Sequence, residues 1–204
     1  MDPMRFPRFT LALPDWIESV AGDPGRVFET VEERMEFVME LARWNVRNGM
    51  GGPFGAAVFD YQTGRLVAPG VNLVVPACCS VAHAEIVAIT IAQQVGHRFD
   101  LGAENGSSFE LVTSTEPCAM CLGAVTWSGI RRLICGARRE DAIEIGFDEG
   151  PRSDDWVHQL EARGVTVLQD IHRHQAAAVL RQYAERGGLI YNGQQGGIPK
   201  TDTG

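Results

Sequence analysis

The stretch Thr115-Glu116-Pro117-Cys118-Ala119-Met120-Cys121, together with the earlier His83-Ala84-Glu85, decides how the fold of this chain is interpreted. Each stands at the start of a predicted helix, and a predicted strand separates the two helices. Pro117 is compatible with a helix start, because the first turn does not need its missing N–H. Cys118 and Cys121 are three residues apart and therefore project from the same face of their helix. Both sulfurs can reach one metal ion.

This set of donors indicates a zinc site. Zinc prefers nitrogen and sulfur ligands in a tetrahedral shell, and helix N-termini favour thiolate over thiol. A structural zinc is closed by four protein ligands, whereas a catalytic zinc keeps an open position for water. His83, Cys118 and Cys121 are three, so we expect a catalytic site. Glu85 is then placed to take a proton from water at the metal and to return it to a ring nitrogen of a substrate.

Two other interpretations of these residues stay open. A C-x-x-C pair is often a redox pair or half of a structural zinc site. A structural site would take its fourth ligand from Cys78 or Cys79, which lie near His83 in the sequence, or from Cys135. Cys135 lies in the middle of a predicted strand, where a small core residue is expected. An H-x-E pattern alone is usually an ordinary polar pair, and only its combination with the two cysteines favours catalysis.

The predicted elements alternate along the chain in a way typical of an α/β fold. Thr30 and Glu33 form a capping box at the start of a helix that Gly49 ends. Strands are predicted at 55–60, 65–75, 109–114, 132–137 and 165–168, and further helices at 82–95, 118–127, 155–162 and 172–186. A hairpin followed by alternating helices and strands predicts a three-layer α/β/α sandwich. We expect an N-terminal arm without clear periodicity at 1–25, one domain at 26–192 and a flexible C-terminal tail at 193–204.

The composition limits the class of partner. The 204 residues include 18 Lys and Arg against 26 Asp and Glu, a formal net charge of -8. Nucleic-acid-binding proteins normally show a basic surplus that displaces counterions from phosphates, so a polymer substrate is disfavoured. No apolar run is long enough for a signal peptide or a membrane helix, and five cysteines suit thiols or metal ligands better than a disulfide framework. We therefore expect a cytoplasmic protein that does not bind membranes.

At these motifs the chain resembles the cytidine deaminase-like superfamily, whose zinc deaminases share the pattern H-x-E and P-C-x-x-C. The run from Thr115 to Val125 and the following Trp127-Ser128-Gly129-Ile130 are similar to bacterial guanine deaminases. The resemblance covers roughly residues 30–192. It implies a mixed five-stranded sheet, a homodimer, and hydrolysis of guanine to xanthine and ammonia. It also implies one Zn²⁺ per subunit, bound by the three ligands named above, with Glu85 as the proton shuttle.

The resemblance also implies a substrate site for a small nucleobase. Asn72 matches the family's base-reading asparagine, whose amide offers both a donor and an acceptor; a turn or capping role is the alternative. Glu149 matches a second carboxylate that anchors the N–H and amino hydrogens of guanine and assists proton transfer to the leaving amine. Asp148 in its place, or a solvated loop acid, is the alternative there. The remaining predicted substrate contacts are Phe54, Ala84, Trp127, Phe147 and Tyr191.

The aromatic residues among these predicted contacts are chosen for different reasons. Phe54, Trp127 and Phe147 can stack on a flat base, and each would also fit a hydrophobic core. Tyr191 lies in a segment that closes over the site in relatives. The Gly-rich stretch that follows it departs from the tighter ending expected of such a lid.

Other functions remain compatible with the sequence. A deaminase of another ring with the same edge as guanine, such as an amino-oxo triazine, would need the same contacts. Cytosine deaminases and tRNA adenosine deaminases share the zinc motif, although the acidic balance and the lack of basic clusters beyond Arg131-Arg132 and Arg138-Arg139 count against tRNA. From a different class, a zinc-stabilised binding protein would have four protein ligands and would lose little when Glu85 is replaced by glutamine.

Overall fold

Five strands and seven helices make up the part of the chain that a computed structural model describes, residues 10–23, 25–102 and 108–193. In chain order the elements are α1 (Trp16–Ala21), α2 (Val31–Arg47), β1 (Gly55–Asp60), β2 (Leu66–Val71), α3 (Ala84–Val95), β3 (Phe109–Thr115), α4 (Ala119–Ser128), β4 (Arg132–Ala137), α5 (Arg139–Glu144), α6 (Trp156–Glu161), β5 (Thr166–Leu168) and α7 (Arg173–Glu185). Residues 1–9 of the predicted arm and 194–204 of the predicted tail lie outside the described residues.

The strands form one mixed sheet in the order β2-β1-β3-β4-β5. β1 is antiparallel to both of its neighbours, β2 and β3, whereas β3, β4 and β5 run parallel to one another. Parallel neighbours need crossover connections, and α4 supplies the first of them while α5 and α6 supply the second. The mixed five-stranded sheet is therefore confirmed.

Helices cover both faces of this sheet, because successive side chains of a strand point to opposite sides. On one face α2 and α7 pack against the central strands, and this core includes Met35, Val38, Ala57, Phe59, Val112, Ile134 and Leu180. On the other face α3 packs on β1 and β2, α4 packs on α3, and α6 packs on β5. That core includes Ala56, Val58, Ala88, Leu111, Val125, Leu133 and Leu160. The three-layer α/β/α sandwich is confirmed.

Most predicted elements match within a few residues, and the differences have local causes. The capping box closes as predicted, since the Glu33 N–H donates to Thr30 Oγ1 at 3.1 Å and the Thr30 N–H donates to the Glu33 carboxylate at 3.2 Å. The second strand ends at Val71 instead of 75, because Asn72 Oδ1 accepts from the Val74 N–H at 3.2 Å and starts a turn. Neither α1 nor α5 is predicted from the sequence, since a six-residue helix gives only a weak periodic signal; α6 is equally short and lies within the helix predicted at 155–162.

The end of the N-terminal arm packs against helix α2. Ile17 of α1 is buried, and the Trp16 ring stacks on Trp44 of α2 with the ring centroids 6.0 Å apart. The part of the arm that forms α1 thus packs against α2. In the described ranges no helix has both the length and the apolar character that crossing a membrane requires.

A buried charge cluster lies where β3 begins. Glu110 is fully buried and forms an ion pair with Arg34 of α2. Arg132 of β4 donates to the same carboxylate at 3.1 Å and covers the Tyr61 ring, 4.9 Å from its centroid. Burial raises the pKa of Glu110 even though both guanidinium groups oppose that shift. The cluster ties α2 to two central strands.

The opposite edge of the sheet collects the predicted site residues. β2, β3 and β4 all run in one direction, so their carboxyl ends meet at this edge. Asn72 follows β2, Cys118 lies three residues after β3, and the chain after β4 leads through α5 to Glu149. Phe54 immediately precedes β1, which runs the other way. Ligand sites of open α/β sheets form outside the carboxyl ends of the strands, so the topology brings these distant residues together.

Candidate metal centre and active site

His83, Cys118 and Cys121 converge where α3 and α4 begin. His83 and Cys118 are the N-cap residues of these helices, both with extended backbone, and Cys121 lies in the first turn of α4. His83 Nδ1 is 3.5 Å from Cys118 Sγ and 3.7 Å from Cys121 Sγ. The three donor atoms all lie within 4.8 Å of one another. Helix α4 thus begins one residue later than predicted, with Cys118 as its cap.

These separations fit a tetrahedral zinc ion. With Zn–S bonds of about 2.3 Å and Zn–N bonds of about 2.0–2.1 Å, tetrahedral geometry places nitrogen and sulfur about 3.6 Å apart. Among the described residues, the group whose donors converge contains neither Cys78, Cys79 nor Cys135. Cys78 is exposed, and Cys135 is buried within β4. The geometry therefore supplies three protein ligands, the number typical of a catalytic zinc.

The three donor side chains lie close enough to shift one another's pKa values. The hydrogen bond with Cys121 lowers the pKa of Cys118 to about 4 against the effect of burial, and His83 acts in the same direction as that hydrogen bond. The same hydrogen bond and burial hold the pKa of Cys121 well above its ordinary value. Burial opposes protonation of His83, but its hydrogen bond with Cys118 and the nearby carboxylates raise its pKa overall. Metal binding needs two thiolates and a neutral imidazole, so a bound Zn²⁺ ion would displace the proton of the Cys121 thiol.

Two buried carboxyl groups lie beside the cluster. Glu85 and Glu149 are each 7% exposed. Burial raises the pKa of Glu85 to about 7, with the Cys118 thiolate adding to the shift and His83 opposing it. Burial likewise raises the pKa of Glu149 to about 8, with the charges of Cys118 and Glu85 adding to it. The site thus holds two carboxyl groups besides the three donors.

The cluster opens into a cavity of about 190 Å³. Its lining includes His83, Glu85 and Cys118 together with Phe54, Asn72, Val74, Ser80, Glu116, Phe147, Asp148, Glu149, Tyr191 and Asn192. This volume is below the roughly 300–1,000 Å³ of typical ligand clefts, so the cavity suits a small planar molecule better than a nucleotide. A wider cleft of about 590 Å³ beside α2 contains none of the predicted site residues.

Asn72 is buried in the cavity wall with only part of its amide engaged. Its Oδ1 accepts from the Val74 N–H at 3.2 Å and lies 3.5 Å from the Gly52 nitrogen. No described residue accepts a hydrogen bond from its Nδ2. Asn45 holds the backbone around it, since Asn45 Nδ2 donates to the carbonyl oxygens of Asn72 at 2.9 Å and Gly52 at 3.0 Å. Asn72 therefore has the turn role of the alternative interpretation and still offers one donor to a ligand.

Three aromatic side chains form another wall. The Phe147 ring packs edge-on against Phe54 and Tyr191, with centroid distances of 5.0 and 5.1 Å. The Tyr191 hydroxyl is buried, and no described residue forms a hydrogen bond with it. A Cβ at Gly52 would stand 2.0 Å from this hydroxyl, so glycine is what leaves room for it. Burial raises the pKa of Tyr191 well above its ordinary value, which keeps the hydroxyl as a potential donor.

The acidic loop, residues 146–150, presents Glu149 and not Asp148 as its buried acid. Asp148 is exposed, and its Oδ1 accepts from the backbone N–H two residues later at 2.9 Å. Asn192 holds the loop from the other side, since its Nδ2 donates to the Gly146 carbonyl and its Oδ1 accepts from the Asp148 N–H, both at 2.8 Å. The C-terminal segment therefore lies directly against the acidic loop.

Two of the predicted substrate contacts do not line the cavity. Trp127 is 86% exposed, because α4 begins at the ligand cluster and its last turn lies away from it. The expectation that Trp127 stacks on a base is therefore wrong. Ala84 is fully buried in the core beneath α3 and is absent from the cavity lining, so its side chain supports the helix and does not contact a ligand.

Several supporting residues give little signal in the sequence. Glu116 is buried and accepts hydrogen bonds from Arg138, Arg152 and Gln169. An acidic residue directly after a fully buried strand is the one hint that the sequence offers for it. Asn45 gives no hint, because its partners come from two other segments.

Comparison with known proteins agrees with this geometry. The family model described as the cytidine and deoxycytidylate deaminase zinc-binding region matches residues 28–137. A curated guanine deaminase of Bacillus subtilis is 39% identical over 118 residues, which are 58% of this chain and 71% of that protein.

Solved structures are similar over more of the chain. A guanine deaminase from Nitrosomonas europaea is 47% identical with a TM-score of 0.83, covering 87% of this chain and 97% of that one. A structure in complex with 2,6-diaminopurine is 48% identical with a TM-score of 0.85, covering 91% of this chain and 97% of that one. The similarity thus extends well beyond the metal-ligand motifs.

Proposed function

Because the chain belongs to the family of the cytidine and deoxycytidylate deaminase zinc-binding region, we propose that it hydrolyses guanine to xanthine and ammonia with zinc as its cofactor. The likeness to two guanine deaminases supports this choice of substrate within the family. One observation carries the proposal: three converging zinc ligands and two buried carboxyl groups surround a cavity of about 190 Å³.

Hydrolytic deamination exchanges a C–N bond for a C–O bond. The oxygen of water adds to the ring carbon that bears the amine, the water loses protons, and the departing nitrogen gains one to leave as ammonia. When bound by His83, Cys118 and Cys121, zinc would supply the Lewis acidity that makes water a nucleophile near neutral pH. Glu85 borders the same cavity without belonging to the converging donors. Its carboxylate accepts the proton of the attacking water and delivers it to a ring nitrogen.

The cavity also offers partners for the polar edge of guanine. Glu149 is the second carboxylate that lines it, and it accepts from the ring N–H and the amino group. The same residue assists proton transfer to the leaving amine. Asn72 Nδ2 and the Tyr191 hydroxyl belong to the cavity lining and have no partner among the described residues, and they face the acceptor atoms of the base. Phe54 and Phe147 provide the apolar wall.

Ammonia release from a panel of substrates tests this proposal. Zinc-loaded protein is expected to turn over guanine, and treatment with a zinc chelator is expected to abolish the activity until zinc is added back. The panel contains guanine, an amino-oxo triazine, cytosine, adenine, their nucleosides and tRNA. Activity on another ring without activity on guanine would contradict the choice of substrate but keep the zinc chemistry. If no compound of the panel released ammonia, the proposal that this protein is a deaminase would be contradicted.

The alternative functions differ in what they require of the site. An amino-oxo triazine would meet the same polar groups, so only the panel separates it from guanine. A tRNA substrate would need a basic surface, which the net charge of -8 does not favour. A shift of tRNA in a gel at moderate salt would support tRNA as a substrate. A cytoplasmic location stays a prediction, to be checked by cell fractionation.

We infer in addition that two copies of the chain pair across the outer faces of α3 and α4. Helix α4 contains no charged residue, and the one in α3 is the buried Glu85. Helices that face water normally carry charged residues on that side, whereas helices that lack them are covered. Yet Trp127 of α4 and Phe99 beyond α3 are each 86% exposed.

A second copy fits this face because the protruding ring and its receiving grooves are adjacent. Trp127 borders shallow grooves whose other walls include Ile86 and Ala124 on one side and Leu122 and Trp156 on the other. A two-fold contact needs such a self-complementary patch, and homodimer interfaces are more apolar than the rest of the surface.

Replacing Trp127 with glutamate is expected to weaken self-association by about 30-fold or more, because a central aromatic residue is lost and a charge is buried. Light scattering after size exclusion, over a range of concentrations, measures this against the parent dimer. Ile143→Glu, at an exposed apolar residue of α5, is the control and should remain dimeric. A monomeric parent, or a fully dimeric Trp127→Glu protein, would contradict this surface.

A further inference from the structure

We infer that Arg152 is a positioning residue, which together with Glu116 holds the acidic loop so that Glu149 faces the metal-ligand cluster. The inference rests on the proposed function, since it concerns how Glu149 is held for its substrate. The evidence is a buried network that links the loop to the segment carrying the cysteines.

Glu116 is the centre of this network. Its side chain is 1% exposed, and its two oxygens accept four hydrogen bonds. Oε2 accepts from Arg152 Nη2 at 2.8 Å and from the Arg139 N–H at 3.2 Å, while Oε1 accepts from Gln169 Nε2 at 2.6 Å and Arg138 Nη1 at 3.2 Å. The donors come from three separate segments, so one buried carboxylate fixes all three against the end of β3. A charge buried to this degree persists only with such partners.

Arg152 extends this network to the C-terminal end of the acidic loop. Its side chain is 7% exposed, and its guanidinium lies 4.8 Å from the centroid of the Trp156 ring. Besides its bond to Glu116, it donates from Nη1 to the Pro117 carbonyl at 3.3 Å. Arg152 therefore binds the two residues that immediately precede Cys118.

The acidic loop is tied to the same region through its main chain. The Glu149 carbonyl accepts from the Ala119 N–H, the first of α4, at 3.0 Å. The Gly150 carbonyl accepts from Arg139 Nη2 at 3.1 Å. Arg152 follows two residues later, so the chain is held by contacts at Glu149, Gly150 and Arg152.

The Glu149 carboxylate itself has no such restraint. No described residue forms a hydrogen bond with it, and it lines the cavity within reach of the charges of His83 and Arg152, which oppose the rise of its pKa. Its position is therefore set by the main chain of the acidic loop, and the main chain is set by the contacts above. Loss of the Arg152 anchor should displace the carboxylate without removing it, and small misplacements of a binding group are costly.

A closely matched structural ion pair exists at the other end of β3. Arg132 donates to the buried Glu110 at 3.1 Å and lies 4.9 Å from the Tyr61 ring centroid. Arg152 makes the same kinds of contact with Glu116 and Trp156. Arg132→Met thus removes an equivalent ion pair and ring contact far from the cavity, and it serves as the control for a merely structural role.

The test is a double-mutant cycle on guanine binding, measured by equilibrium dialysis of radiolabelled guanine. All proteins carry Glu85→Gln, so that chemistry does not consume the ligand. In that background we expect Arg152→Met to weaken binding by about 10-fold or more, but by less than about 2-fold when Glu149→Gln is also present. Arg132→Met is expected to change binding less than about 2-fold in both backgrounds. If Arg152→Met does not fold, Arg152→Lys provides the same comparison, since lysine cannot make the forked contact.

The outcomes separate the two proposals. Equal weakening by the Arg152 variant with and without Glu149 would overturn the positioning role and leave the proposed function intact, as would an equal effect of Arg132→Met. Failure of the Glu85→Gln protein itself to bind guanine, with zinc present, would overturn the proposed function first.

Discussion

Protein with Glu85 replaced by glutamine is expected to retain its zinc and to release ammonia from guanine about 10²–10⁴-fold more slowly than the parent. Glutamine keeps the shape of the side chain but cannot accept the proton of the attacking water. Zinc should stay bound, because Glu85 borders the cavity without being one of the three converging donors. Metal analysis and an ammonia assay on the same sample measure both expectations.

The control for this variant is Glu144→Gln, which neutralises an exposed acid on α5. Its ammonia release should equal that of the parent. Parental activity in the Glu85→Gln protein would show that another group moves the proton. Loss of zinc in that protein would show instead that Glu85 is a ligand.

The second large effect is expected for Glu149→Gln. The amide keeps one acceptor oxygen but can neither ionise nor carry a proton, and it places a fixed donor against the donor edge of guanine, leaving polar groups unpaired. We expect kcat/KM for guanine to fall by about 10²-fold or more, with zinc content unchanged. Steady-state kinetics with guanine, together with metal analysis, measure this.

The neighbouring acid offers a matched control. Asp148 is exposed, and its Oδ1 accepts from the Gly150 N–H, a contact that an asparagine carbonyl can also make. Asp148→Asn should therefore change kcat/KM by less than about 2-fold. If Asp148→Asn lost activity while Glu149→Gln kept it, the roles of the two acids would be exchanged. If neither change mattered, the acidic loop would lie outside the substrate site.

Local features of the sequence were sufficient for most elements of the fold and for the metal ligands. The capping box at Thr30 and Glu33 and the strand at Gly55–Asp60 depend on neighbouring residues, which is why periodicity and cap chemistry find them. His83, Cys118 and Cys121 are recognisable because each stands at a helix start, with the cysteines one turn apart. Zinc chemistry restricts the residue types, so few other arrangements compete.

The sequence was less informative where a helix has no polar face. Helix α4 lacks charged residues altogether, so its pattern cannot tell which side faces the core, the cavity or a partner. The sequence therefore allows Trp127 to stack on a base or to pack in the core, whereas the structure places it on an exposed face. Burial of a single large apolar residue follows from what packs against it, and the order of elements along the chain does not specify that.

What the sequence determined by itself is the five strands, most of the helices and the two halves of the zinc-ligand pattern, because each of these follows from residues within one or two turns of each other. The resemblance implied a common substrate site for Asn72, Glu149 and Tyr191, but only the tertiary structure showed the cavity that they line and the link from Glu116 to Arg152 beside the cysteine-bearing segment. Those contacts join residues more than 30 positions apart. They form because the sheet order and the strand directions place the carboxyl ends of β2, β3 and β4 at one edge of the sheet, with β1 between β2 and β3, an arrangement set by long-range packing.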